Sequence, residues 1–205
     1  MTKDYDGGAT IVVTDEAFRR TVILVALLNL AYFGVEFGVA LAIGSVSLFA
    51  DSVDFLEDAA VNLLIATALA WSATRRATVG KFLAGLLLVP ALALLWALWS
   101  KYNAPVPPSA LPLGATGLGA LAVNLTCAFL LVRFRHHRGS LSRAAFLSAR
   151  NDAFANVAII AASALTALHP SIWPDIVVGL GIATLNVDAA REVWRAAQNE
   201  RDAAA

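Results

Sequence analysis

The chain has 205 residues, of which 59% are hydrophobic and 15% charged, with 15 acids against 15 bases and a formal net charge of zero. An ordinary soluble domain is about 45–50% apolar and about 25% charged, so the composition excludes that class in favour of an integral membrane protein, and the neutral balance argues against nucleic acid as a partner. The one cysteine, Cys127, lies in an apolar run and has no second thiol in the chain to form a disulfide.

The opening stretch, MTKDYDGGATIVVTDEAFRR, mixes acids with a short apolar patch. It lacks the basic head and small-residue cleavage site of a signal peptide, and residues 1–18 are expected to form a cytoplasmic tail. A bilayer core about 30 Å thick calls for roughly 20 apolar helical residues. Six segments qualify, at about 20–43, 47–73, 79–101, 111–133, 142–168 and 173–196. The expected fold is therefore all-α, a polytopic membrane domain of six transmembrane helices over residues 19–196, followed by a short cytoplasmic tail at 197–205.

In chain order, GSVS breaks the first span from the second. The first carries Asn29, Tyr32 and Glu36 on one face, a pattern that suits hydrogen bonding between helices or a proton or ion path. The third span contains Pro90, which should kink it or be absorbed by neighbours, and ends in Trp96, Trp99 and Tyr102, an interfacial aromatic belt. KYNAPVPPSALP is a proline-rich loop. The fourth span carries Asn124, expected to bond a neighbouring helix, and GLGAL, a packing surface. RHHRGSLS holds His136 and His137, which read as solvated or as a capturing pair for cytosolic metal, and Ser140 or Ser142 is the expected N-cap of the fifth span. LHPSIWPD separates the last two spans, and His169 there is given no role.

Basic residues fix the expected orientation. Arg19, Arg20, Arg75, Arg76, Lys81, Arg133, Arg135, Arg138, Arg143, Arg191, Arg195 and Arg201 flank one set of span ends, and only Lys101 flanks the other. Both termini are expected in the cytoplasm, with the protein in a multi-pass arrangement in the cytoplasmic membrane.

The second span is the unusual one. FADSVDFLEDAAVN (residues 49–62) carries four acids. At 100° per residue, Ser47, Asp51, Asp54, Asp58 and Asn62 fall on one stripe about 80° wide, with Glu57 beside it. A solvated helix face would mix lysines among these acids, yet the next cation in the chain is Arg75. A charge at mid-bilayer costs roughly 2.5–3.5 kcal/mol even on permissive scales, so such carboxylates must protonate, pair or bind a metal. Asp51, nearer the outer end, suits a structural bond to a neighbouring helix. In the fifth span, FLSARNDAFANV places Ser148, Asp152 and Asn156 at i, i+4 and i+8, with Asn151 at the border. Arg150, on the opposite side, is free either to pair with Glu57 or to snorkel to the cytoplasm.

Depth brings the two stripes together. Counting at about 1.5 Å per residue, Asp54 and Asp58 lie about 10 and 16 Å in from the outside, and Asp152 about 15 Å in from the cytoplasm. Antiparallel neighbours would gather Asp54, Asp58, Ser148 and Asp152 near mid-membrane, an oxygen-rich site for a divalent cation. Its ligand type favours hard ions such as Mg²⁺ or Mn²⁺ and permits Zn²⁺ or Fe²⁺.

SLFADSVDFLEDA, NDAFANVAII and WPDIVVGLGIATL together resemble the cation diffusion facilitator family of divalent-metal exporters, and the resemblance covers all six spans. In that family the second helix carries (His/Asp)-x-x-x-Asp and the fifth His-x-x-x-Asp, which form a tetrahedral transport site. Asp54 and Asp58 match the first pair and Asp152 the final Asp. Ser148 stands where the family usually has His, which leaves Asn151 or Asn156 as substitutes for that ligand. The resemblance implies the family's short branch, with no cytoplasmic C-terminal domain expected. The resemblance implies a secondary transporter and not an enzyme, one that exports a divalent metal in exchange for protons. Zinc is first choice, with cadmium, iron, cobalt and manganese behind it. The metal is cargo and no cofactor is expected; a homodimer held by membrane helices is. A passive cation channel and a non-transporting membrane adaptor are the alternatives.

Overall fold

A computed structural model describes residues 15–67, 92–134 and 140–185. Several expectations fall outside these residues: Pro90, Arg75, Arg76, Lys81, His136, His137, Arg135 and Arg138, and the chain from 186 onward with Arg191, Arg195 and Arg201. Of Arg143 only the backbone is described.

The described elements are helical: α1 (Asp15–Ile43), α2 (Val46–Thr67), α3 (92–103), α4 (Ala110–Val132), α5 (Ser140–Leu168) and α6 (Trp173–Leu185). This is an all-α membrane protein. α1 starts more than a turn before the expected span. Glu16 sits in that turn, where a carboxylate complements the helix dipole, and bonds Arg20 four residues on. α1, α4 and α5 from Ser148 onward are long and apolar enough to cross a membrane. α2 does not reach that threshold, because its acids lower its hydropathy, as expected from the stripe.

α1 ends at Gly44, which takes a positive φ of 62°. The Ser45 N–H reaches back to the Ala40 carbonyl at 3.2 Å, the six-to-one bond of a Schellman ending. Ser45 then caps α2, its Oγ accepting the Leu48 N–H at 3.2 Å. The turn folds α1 and α2 into an antiparallel pair. α4 and α5 form a second pair, and contacts of α1 with α4 and of α2 with α5 close a four-helix ring.

Two apolar clusters lie at opposite ends of this ring. One joins Phe18, Val22, Cys127, Leu131 and Phe134. The other joins Ala40, Val46, Phe49, Leu113 and Ile159 with Leu94 and Ala97 of α3 and Ile182 of α6. The side chains of the acid stripe occupy the layer between them. Close approach in the ring depends on glycine: a Cβ on Gly117 would meet Ile159 Cγ2 at 3.0 Å, and one on Gly119 would overlap the Tyr32 hydroxyl. GLGAL is thus a packing surface, as expected.

Candidate metal centre and its polar surroundings

The register of α2 against α5 is fixed by two hydrogen bonds. Ser148 Oγ donates to Asp58 Oδ1 at 2.9 Å. Asn156 Nδ2 donates to Asp51 Oδ2 at 2.5 Å. Eight residues along α5 match seven back along α2, so the helices run antiparallel at almost constant register and their polar stripes face each other. The Asp58 and Asp152 carboxyls stand close enough to share a hydrogen bond when one is protonated. Asp54 lies within electrostatic range of Asp152, Asp51 and Asp58. Asn62, a turn below Asp58 on the stripe, bonds back to the Asp58 carbonyl at 2.9 Å.

Asp54, Asp58, Ser148 and Asp152 thus form one neighbourhood, as the depth count expects. Among the described residues, however, no three His, Cys, Asp or Glu side chains converge at metal-holding spacing. The two asparagines proposed as substitutes for the missing histidine stand elsewhere. Asn151 is exposed and accepts from Arg150 at 3.2 Å. Asn156 is fully buried between Asp51 and Asn124, whose Nδ2 donates to Asn156 Oδ1 at 2.9 Å. Asn124 therefore bonds a neighbouring helix as expected, and Asp51 does as well. Arg150 is exposed, and among the described residues no ion pair joins it to Glu57.

α1 lines the same layer. Tyr32 donates to the Thr116 carbonyl of α4 at 2.6 Å and packs on Phe55, ring centroids 5.1 Å apart. Glu36 is fully buried and faces Asp51. Asn29 meets the Cys127 thiol at 3.9 Å. The sequence pattern places these three on one face, but only the packing of α1 on α2 pairs Glu36 with Asp51.

A second carboxylate centre, which sequence reasoning missed, lies at the N-terminal end of α2. Asp175, in the first turn of α6, is fully buried. Its Oδ2 accepts the Val46 N–H at 2.8 Å. Its Oδ1 accepts the Ser47 N–H at 3.1 Å, and the Ser45 and Ser47 hydroxyls at 2.7 Å each. Lys101 Nζ lies 3.4 Å from Oδ2 and also donates to the Val106 carbonyl at 3.1 Å. Asp175 thus satisfies the free N–H groups at the start of α2, where negative charge suits the helix dipole. Gly179 permits the approach: a Cβ there would stand 2.8 Å from the Val46 carbonyl carbon and 2.9 Å from the Ser47 nitrogen. The available signals were the Ser-x-Ser of GSVS and an Asp directly after Pro174, on loops expected to share the outer side. Trp96, Trp99 and Tyr102 are all exposed near this end, as an aromatic belt requires.

Residues 22–198 match the model of the cation efflux transmembrane domain. No curated protein sequence matches the chain.

Proposed function

The chain belongs to the cation efflux family, the cation diffusion facilitators, and from that premise we propose that it exports a divalent metal ion from the cytoplasm in exchange for protons. That it is a membrane transporter of metal cations follows from the family. The finer reading gives Asp54, Asp58 and Asp152 the role of ligands, with the Ser148 hydroxyl in the fourth position. One observation carries it: the Ser148–Asp58 bond, which seats the α5 stripe on the α2 stripe at mid-helix.

In this reading the cytoplasmic ion draws Asp54 onto the Asp58–Asp152 pair, and its charge offsets the mutual repulsion of the carboxylates. Ionised ligands are required, so binding expels protons and protonation expels metal. Protons arriving from outside therefore release the ion there. The two apolar clusters that bound the polar layer are suited to alternate as barriers on the two sides. Zinc is the first-choice cargo, although an all-oxygen set is harder than the family's imidazole-containing one and also suits manganese or iron. With both termini in the cytoplasm, the protein works as a homodimer held by membrane helices.

The test is a calorimetric metal series on purified protein, comparing wild type with Asp54→Ala, joined to flux into liposomes with and without an imposed pH gradient. The expected outcome is saturable, gradient-driven zinc flux in the wild type and loss of binding in the variant. Flux that ignores the gradient and runs far above carrier turnover would instead identify a channel.

A further inference from the structure

Among the described residues, six buried side-chain polar atoms have no hydrogen-bond partner, and three of these are carboxylate oxygens in one place: both of Glu36 and Oδ1 of Asp51. Both residues are fully buried. The remaining Asp51 oxygen is taken by Asn156, which is held in turn by Asn124. That amide chain fixes the Asp51 carboxyl and leaves Oδ1 without a partner, and the Asp51 and Glu36 carboxyls lie within hydrogen-bonding reach of each other.

Two ionised carboxylates in such a place would repel each other strongly, and a buried acceptor left unpaired carries its full desolvation cost. No Lys or Arg pairs with either one among the described residues. The other ionisable groups that face them are Tyr32 on α1, Asp54 on α2 and Asp152 on α5, none of them a cation. A single proton removes the conflict. Carried on Glu36, it makes that carboxyl a donor and is shared with Asp51 Oδ1, so two helices gain the bond they lack.

We propose that Glu36 and Asp51 are a shared-proton pair that holds one of the exchanged protons, separate from the Asp54–Asp58–Asp152 set that takes the metal. This rests on the proton-exchange reading above and assigns part of it to α1. The pair lies near enough to feel the charge of Asp54. A divalent cation on Asp54 replaces that negative charge with a positive one and repels the shared proton. The Glu36 O–H bond then breaks, its electron pair stays on the Glu36 carboxylate, and the proton passes through the polar layer to water. When the metal leaves, a proton returns by the same route. The two carboxyls titrate as one unit, not as two independent groups.

The experiment uses the full chain, purified, with zinc as the probe, and measures zinc affinity across pH. Each proton released on binding steepens the fall in affinity toward acid by roughly tenfold per pH unit. Glu36→Gln removes the proton carrier and should make that fall shallower by about one decade per pH unit. Glu36→Asp, which keeps a carboxyl, should restore most of the slope. A Glu36→Gln slope equal to that of wild type overturns the proposal, because the released protons then come from the metal ligands alone. A wild type whose affinity ignores pH overturns the exchange reading itself, a different and recognisable result. If Glu36→Gln cannot be purified in folded form, infrared difference spectra of a Glu57→Gln protein carrying ¹³C-labelled glutamate decide the matter. An isotope-shifted carboxylic-acid carbonyl band that disappears on zinc addition supports the pair, and its absence overturns it.

Discussion

Two carboxylate centres, one at the N-terminal end of α2 and one at its middle, answer the same physical problem in opposite ways. At the N-terminal end of α2, Asp175 is surrounded by two backbone N–H groups, two hydroxyls and the Lys101 ammonium. In the middle of the helix, Asp51, Asp54, Asp58 and Asp152 share a layer with Glu36 and meet one amide and one hydroxyl, with no cation paired to them among the described residues. Removing a carboxylate from water costs several kcal/mol unless donors or a counter-charge replace the lost solvation. The helix-end centre has those partners within the fold, as a structural group does. The mid-helix one lacks them, which suits the proposed role of receiving a cation from outside the chain.

The sharpest way to break this contrast is to neutralise the inner acids one at a time. Asp54→Asn, Asp58→Asn and Asp152→Asn keep side-chain size and remove charge. Each should reduce zinc flux in liposomes to the protein-free background while the purified protein keeps its helical circular dichroism and elution volume. Normal proton-driven flux in any one of the three would remove that residue from the site.

The Asp175 centre should behave in the reverse manner. Asp175→Ala strands the Lys101 ammonium and the Val46 and Ser47 N–H groups in a buried place, a change expected to cost about 3–5 kcal/mol. Thermal unfolding in detergent should show a large loss of stability, and flux should fall in proportion to the folded fraction. A stable Asp175→Ala protein with no zinc affinity would mean that the Asp175 centre takes part in binding after all.

Gly179→Ala probes the same junction more gently. The added methyl would press on the Val46 and Ser47 backbone, an overpacking expected to cost about 1–3 kcal/mol. The melting temperature should drop by less than in Asp175→Ala, and metal preference should stay as in the wild type. An unchanged melting temperature would show that α6 can move away from α2 at no cost.

The smallest expected change is one of selectivity. Ser148→His places an imidazole beside Asp58, where the family usually carries one. Imidazole suits zinc better than a hydroxyl does, so the ratio of zinc to manganese affinity measured by calorimetry should rise by about tenfold, roughly 1.4 kcal/mol. An unchanged ratio would mean that residue 148 does not face the ion.

The residues that made this site legible were those whose types conflict with their surroundings. A mid-span run of acids at helical spacing without lysines singled out Asp54 and Asp58 as candidates, because periodicity follows from the geometry of a single helix. Asp152 and Ser148 followed from depth, since antiparallel helices in a layer of fixed thickness must meet at a calculable register. The Ser148–Asp58 bond occurs at that register. The all-α fold was legible for a related reason: in a bilayer, each segment must satisfy its own backbone.

Spacing and depth carry no information about rotation between helices, and there the tertiary structure decided. Asn156 lies on the stripe and Asn151 borders it, yet the structure leaves Asn151 exposed beside Arg150 and locks Asn156 to Asp51 and Asn124. Glu36 lies on a recognisable polar face, but only the packing of α1 on α2 sets it opposite Asp51. Asp175 and the start of α2 are more than a hundred residues apart in the chain, and each looks unremarkable alone. Their partnership exists because the turns α1–α2 and α5–α6 share one end of the bundle and because Gly179 lets α6 come close enough for a carboxylate to reach two backbone N–H groups. A periodic pattern describes what one helix asks of its neighbours. Which neighbour answers depends on long-range contacts whose geometry no local spacing determines.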